Sequence, residues 1–152
     1  MTPAGLSELK EEHGRLRSKE RPAIIKALSA AREHGDLGEN AEYHAAKERQ
    51  AFIEGRLAEL EDIISRAQVI DTTKLSGDVV RFGAVVMLAD EDTDEETTYR
   101  IVGSHEADAG NGRISVTSPL ARALIGKTIG DVVEVTTPGG TKSYEIVRVG
   151  YG

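Results

Sequence analysis

Along residues 53–67 the apolar positions Ile53, Leu57, Leu60, Ile64 and Ala67 step by four and three, with Phe52 beside the first. That is the spacing of a coiled-coil seam, so the segment predicts a long helix that has a partner. An earlier stretch offers the partner: Leu6, Leu9 and Leu16, with His13 between the last two, then Ile24 or Ile25, Leu28 and Ala31. The two arms should zip together as an antiparallel hairpin. Pro22 interrupts the first arm, because proline withholds an intrahelical hydrogen bond and its ring clashes with the preceding turn. A kink or break is expected near Lys19 to Arg21, with Pro22 in the first turn of the segment that follows. If continuous, the arm from Leu6 to His34 would run roughly 40 Å at ~1.5 Å per residue.

After Val69-Ile70-Asp71 the helical period stops, and residues 72–77 read as a linker of small and polar residues. Beyond it the pattern is that of strands: 79–82, 84–88, 98–102, 113–116, 132–135 and 144–149 are short, rich in β-branched residues and separated by turn signals. One helix should interrupt them, with Ser118 as its cap, Pro119 at its first position and Gly126 closing it. Pro138-Gly139-Gly140 makes a hairpin turn between the last two strands. The chain therefore divides into a hairpin over 1–71, a linker over 72–77 and a small domain over 78–152. The class is α+β with a mainly antiparallel sheet.

Composition narrows the chemistry. The chain has 152 residues, 39% hydrophobic and 4% aromatic, with no tryptophan, so two domains would each have a modest core of Ala, Val, Ile and Leu. It contains no cysteine, which excludes disulfides, thiolate metal sites and thiol nucleophiles. No secretory leader and no apolar run of membrane-spanning length is evident, so a cytoplasmic protein without membrane contact is the expectation. The formal net charge of -7 argues against coating duplex DNA through a general field. Residues 1–75 are nearly balanced, with 12 Lys+Arg against 14 Asp+Glu, as befits a solvated hairpin laced with ion pairs. A weak nucleic-acid contact through Arg15, Arg17, Lys19, Arg21, Lys26 and Arg32 stays open beside that reading.

Between the arms lies Gly35-Asp36-Leu37-Gly38-Glu39-Asn40, a glycine-flanked turn carrying two carboxylates. Asp36 and Glu39 could ligate a hard cation such as Mg²⁺ or orient water. Two acids are half of a magnesium site, which wants six oxygens and usually takes several from substrate phosphates and further carboxylates. The same spacing also fits a capping box with Asp36 as cap and Glu39 reaching back, and spacing alone favours that structural role. His34 and His44, ten residues apart, match no common zinc spacing. The acidic run 90–96 fails as a calcium loop, since Glu95 stands where an EF-hand needs glycine and Ile101 where it needs glutamate.

The tip segment, from Gly35 through Glu48, together with Arg21-Pro22, Ile53-Glu54-Gly55-Arg56 and Ala67-Gln68-Val69-Ile70-Asp71, closely resembles the bacterial transcript cleavage factors of the Gre family. In the second half, Tyr99 to Gly103, Glu106-Ala107-Asp108, Ile114-Ser115, Ser118 through Lys127 and the Pro138-Gly139-Gly140 turn resemble the GreA branch of that family. The resemblance covers nearly the whole chain and outweighs the capping-only reading of the tip. It implies an FKBP-like second domain that docks at the rim of the RNA polymerase secondary channel, and a monomer whose coiled coil passes through that channel. Asp36 and Glu39 would then meet the extruded 3′ end of the nascent RNA, share a second Mg²⁺ with the polymerase and orient the attacking water. The polymerase would be the catalyst, and the chain an accessory factor with no nuclease activity of its own. Candidate docking residues are Glu106, Asp108, Ser118, Pro119, Leu120 and Arg122. Prolyl isomerisation is disfavoured, because it needs a concave aromatic pocket and this half holds only Phe82, Tyr99, Tyr144 and Tyr151. The alternative within the family is a non-cleaving occupant of the channel that inhibits the polymerase. Two departures stand out: Gly38 between the acids, which disfavours helix by up to ~1 kcal/mol, and His13-Gly14, which should weaken the seam.

Overall fold

The structure, a computed structural model, describes residues 1–33 and 40–151. The tip acids Asp36 and Glu39, with Gly38 between them, lie outside the described residues. The chain forms two compact units, one of Leu6–Gln68 and one of Met1–Gly5 with Val69–Gly152.

The first unit is the expected helix pair. Helix α1 (Pro3–Arg15) enters it, a π-helical turn follows at Leu16–Glu20, and helix α2 (Arg21–Arg32) completes the first arm. The return arm is helix α3 (Ala41–Arg66), about 39 Å long at the standard rise. The sequence predicts a kink or break before Pro22; there is no break, since Arg15, Glu20 and Arg21 keep right-handed helical dihedrals, and the irregularity at this place is the π-helical turn. The Arg21 N–H donates to the Leu16 carbonyl five residues back. This wider turn relieves the collision between a proline ring and the carbonyl four residues before it, which a regular α-turn would enforce.

Along α3 the covered residues are Ala46, Ile53, Leu57, Leu60 and Ile63, with Tyr43, Gln50, Ile64 and Ala67 partly covered. Ile63 thus takes the deeper position expected for Ile64. An α-helix drifts about 20° per heptad against a strict 3.5-residue repeat, so the last turn brings the neighbouring residue round. On the first arm Leu9, Leu16, Leu28 and Ala31 are buried, and Ile24 rather than Ile25 faces the seam, Ile25 being 53% exposed. His13 does less harm than expected: its Nε2 lies 3.1 Å from Glu61 Oε1 on the other arm.

The second unit is a five-stranded sheet with a short helix. Strands β1 (Val85–Asp90), β2 (Glu96–Val102) and β3 (Arg113–Ser115) precede helix α4 (Pro119–Leu124), and β4 (Val132–Thr137) and β5 (Gly140–Gly150) follow it. The order is β3-β2-β1-β5-β4, antiparallel except for the β2–β3 pair. Val86, Leu88, Ile101, Ile114, Val133 and Ile146 from the sheet close with Ala121 and Leu124 of α4 into one core. Ser118 caps α4, its Oγ accepting from the Ala121 N–H at 3.3 Å, and Gly126 follows at φ 87°. Pro138-Gly139 turns β4 into β5, Thr137 pairing with Gly140.

Residues 79–82 were expected as a sixth strand and are not one. Val79 makes an isolated bridge to Thr128, and Val80 exchanges backbone hydrogen bonds with Gly126 and Lys127 after α4. The Ala84 N–H to Arg81 carbonyl bond then turns the chain before a ladder can form. At the other end of β1, Asp90 Oδ1 accepts from the amides of Asp92 and Thr93, so the acidic run is a turn organised by its first residue.

Candidate functional site

Two places hold the residues singled out above: the end of the hairpin, and the sheet unit around Glu106 and α4.

At the hairpin end, Asn40 has extended dihedrals and caps α3, its Oδ1 accepting from the Tyr43 N–H at 3.0 Å. Its Nδ2 donates to the Ala31 carbonyl on α2 at 2.7 Å. One side chain therefore satisfies an orphan amide of α3 and an orphan carbonyl near the end of α2. The sequence reading weighed Asp36 as a cap; the cap of α3 is Asn40. Asparagine before a helical run is a cap signal legible in the sequence, competing there with the Asp36–Glu39 spacing. Its bond to Ala31 depends on the pairing of the arms and had no signal in the sequence.

Below this lock the arms are joined by charged forks. Arg56 Nε and Nη2 donate to Glu12 Oε2 and Oε1, each at 2.8 Å, and Arg21 Nε and Nη2 donate to Glu54 Oε1 and Oε2 at 2.7 and 2.8 Å. Arg49 Nη2 reaches Glu20 Oε2 at 2.8 Å. The hydrogen-bonded Arg56 guanidinium holds the Glu12 carboxyl below the usual glutamate range, and Glu12 in turn pushes the Arg56 pKa up. Hydrogen bonding to Glu54 likewise raises that of Arg21. Of the basic residues grouped in the sequence as a nucleic-acid face, Arg21 is therefore engaged within the hairpin. Bidentate geometry fixes the register of one arm against the other.

Asp36 and Glu39 fall between Glu33 and Asn40, outside the described residues. Among the described residues no group of three or more His, Asp or Glu side chains could hold a metal ion. Two tip carboxylates are the right donor type for Mg²⁺ and too few to complete its shell. No helix among the described residues is long and apolar enough to cross a membrane.

In the sheet unit the docking candidates separate. Glu106 is buried, 7% exposed, and spends its carboxylate internally. Oε1 accepts from the Thr2 N–H at 2.6 Å and from Thr2 Oγ1 at 2.7 Å, while Oε2 accepts from the Gly103 N–H at 2.7 Å. Thr2 Oγ1 also accepts from the Gly5 N–H, so Thr2 caps α1 and Glu106 places a negative charge at that helix start. Thr2-Pro3 is a legible cap signal; the remote carboxylate is not. Asp108 is partly exposed and is held by Asn111 Nδ2 at 2.6 Å and Arg113 Nη2 at 3.7 Å. Ser118 is occupied with its cap, Leu120 packs against the core, and Pro119 and Arg122 are exposed on α4. Glu106 is thus buried, whereas Pro119 and Arg122 of α4 lie at the surface. A cavity of about 400 Å³ beside Thr2 and Glu106 is walled by Val102, Arg100 and Arg113 and has no aromatic lining.

The chain matches two family models, "Transcription elongation factor, N-terminal" over residues 1–69 and "Transcription elongation factor, GreA/GreB, C-term" over residues 75–151. It is 63% identical to the transcription elongation factor GreA of Rhodospirillum rubrum, over 100% of this chain and 97% of that protein. It is 65% identical to the GreA of Caulobacter vibrioides, over 98% and 95%. Among solved structures it is similar to the GreA factor homolog 1 protein of Thermus thermophilus, at 33% identity over 98% of this chain and 96% of that one, with a TM-score of 0.44.

Proposed function

The chain belongs to the GreA/GreB family of transcription elongation factors, and from that premise we propose that its hairpin is a carrier for Asp36 and Glu39. In this reading the hairpin enters the secondary channel of a backtracked bacterial RNA polymerase in the cytoplasm, and the protein acts there as a monomer. The exposed face of α4, with Pro119 and Arg122, contributes to docking at the channel rim, and Asp108 lies on the same unit.

At the active centre the two carboxylates supply what an unaided polymerase lacks. Asp36 and Glu39 accept hydrogen bonds from the attacking water, orient it toward the scissile phosphodiester and take up its proton or pass it on. They also provide hard oxygen ligands for a Mg²⁺ shared with the polymerase, and when bound that ion lowers the pKa of water and neutralises charge on the phosphate. Hydrolysis places the water oxygen on phosphorus and returns a 3′ hydroxyl to the retained RNA, while a short 3′ fragment leaves. The chain is an accessory to the polymerase's own catalysis rather than a nuclease.

The observation that supports this reading most is the joint between the arms: Asn40 ties the start of α3 to Ala31, and the two acids lie in the segment those residues bracket. A helix pair closed that way gives a short acidic segment a stiff support. The test is RNA cleavage in purified backtracked complexes with Mg²⁺, comparing no factor, this protein and its Asp36→Asn/Glu39→Gln variant. Faster cleavage with the protein and not with the variant is expected. Slowed elongation without cleavage would make the protein a channel-blocking inhibitor and sink the proposal.

A further inference from the structure

The seam of the first arm changes phase where the π-helical turn lies. Leu9, His13, Leu16 and Glu20 follow steps of four, three and four, and continuing the heptad would bring Ala23, Ala27 and Ala30 against α3. All three alanines are exposed. The residues that turn inward are Ile24, Leu28 and Ala31, each one position later. The π-turn accounts for the shift, because a bond from Arg21 back to Leu16 fits one more residue into the turn than an α-helix does. One residue is worth about 100° of helix rotation. The extra residue thus trades an all-alanine strip for one that contains Ile24 and Leu28.

Pro22 holds the turn in place. It sits in the first turn of α2, where a regular α-helix would drive its ring into the Ser18 carbonyl. At the far end of α2 the phase is handed on, since Ala31 is both a seam residue, 3% exposed, and the residue whose carbonyl Asn40 grips.

We propose that the Pro22-locked π-turn is a positioning device for the tip. It sets the rotational phase at which the first arm is joined to Asn40, and so the direction in which Asp36 and Glu39 are offered to the polymerase. Pro22 acts through Ala31 and Asn40. The inference rests on the role given to the two acids above.

Two variants test it in the backtracked-complex assay. Deleting Lys19, an exposed residue inside the turn, leaves Pro22 in place and puts the seam one residue out of phase. Deleting Lys19 together with Pro22→Ala permits a continuous α-helix in which Ile24, Leu28 and Ala31 stay on the seam. At saturating factor the single deletion should lower the maximal cleavage rate about a hundredfold, the scale of a misplaced reacting group, with the half-saturating factor concentration unchanged. The double variant should recover the native rate. A purely structural role for the turn would instead lower stability and raise the half-saturating factor concentration along with any loss of cleavage.

Native cleavage by the single deletion overturns the proposal. So does a double variant of native helicity and melting temperature that remains slow. Should the single deletion melt the hairpin, the double variant decides alone: native cleavage supports the proposal, and slow cleavage at native helicity and melting temperature overturns it. The Asp36→Asn/Glu39→Gln variant is run alongside. If it cleaves as fast as the native protein, the role of the acids fails; if acid dependence is intact while the phase variants behave natively, only the positioning role fails.

Discussion

The hairpin and the sheet unit bury their apolar residues in different ways. The sheet unit encloses a core on several sides: Leu88, Ile101, Leu124 and Ile146 are each 1% exposed or less and come from four different elements. The hairpin has a single strip, one residue wide on each arm, flanked by Arg–Glu forks that remain partly solvated. A core fixes position through packing from all sides, whereas a strip fixes only distance and leaves rotation and sliding to be set by other means. In the hairpin those other means are the forks, the π-turn and the Asn40 joint. The consequence for a solvated helix pair is that its geometry depends on polar contacts.

The same substitution placed in each region would expose this difference most strongly. Leu88→Ala should cost about 4 kcal/mol and Leu60→Ala about 2–3 kcal/mol, because two arms can close over a lost side chain and a sheet sandwiched under a helix cannot. Hydrogen exchange of β5 amides and of α3 amides, read separately, gives the two values. Equal costs would mean that the hairpin seam is as rigid as the core.

A smaller effect is expected at the start of α1, where Thr2 and Gly5 meet Glu106. A Cβ on Gly5 would fall 1.8 Å from Glu106 Oε1, so Gly5→Ala must displace a buried carboxylate. Glu106→Gln keeps the shape but presents an amide nitrogen to a donor, either Gly103 N–H or the Thr2 pair. Each change should cost about 1–3 kcal/mol, the penalty for a buried polar group left unmatched. Thermal melts that show no loss for either variant would remove Glu106 from the structural contacts and return it to the surface candidates.

Much of this was readable beforehand, and the exceptions have a common cause. The seam at Ile53, Leu57 and Leu60, the α4 cap at Ser118-Pro119 and the Pro138-Gly139 turn are local patterns, and they formed as read. The strand expected at 79–82 failed because its hydrogen bonds went to residues 126 and 127, a choice that local β-propensity does not encode. Proline at 22 locates an irregularity in the first arm without saying which kind, so the π-turn itself is not legible in the sequence. Glu106 read as a surface acid since two of its three donors are 104 residues away at Thr2. At the tip, spacing and then resemblance single out Asp36 and Glu39 as candidates, whereas the joint that brackets them needs the paired arms.

Acidity should separate the two units by about 1 kcal/mol. Glu12, 27% exposed at its side chain, is held below its ordinary value of 4.5 chiefly by the hydrogen bonds from Arg56. A lowered folded-state value means that the fork's stabilisation is fully present above pH 4.5 and is lost as the pH falls through the depressed value. Arg56 is shifted upward and stays charged throughout. The half-solvated setting keeps the pair near the upper end for surface pairs, about 1 kcal/mol. A Glu12→Gln/Arg56→Gln double-mutant cycle followed from neutral pH downward should show that coupling at neutral pH and its disappearance once the Glu12 carboxyl is protonated. Coupling that survives in acid would show that the fork is not what the pH acts on.

The smallest expected effect has the opposite sign. Gly14 in α1 and Gly55 in α3 both lie in helices, and a Cβ added at either meets no atom within 4 Å. Neither glycine is required by a close approach, in contrast to Gly5. Replacing each with alanine removes backbone freedom from the unfolded chain and should stabilise the hairpin by about 0.5–1 kcal/mol per site. Because the hairpin is held by a narrow strip, that gain should appear as slower exchange along α3 while β5 is unchanged. If β5 slows by the same amount, the two units unfold as one, and the contrast between strip and core would concern packing alone and not independent stability.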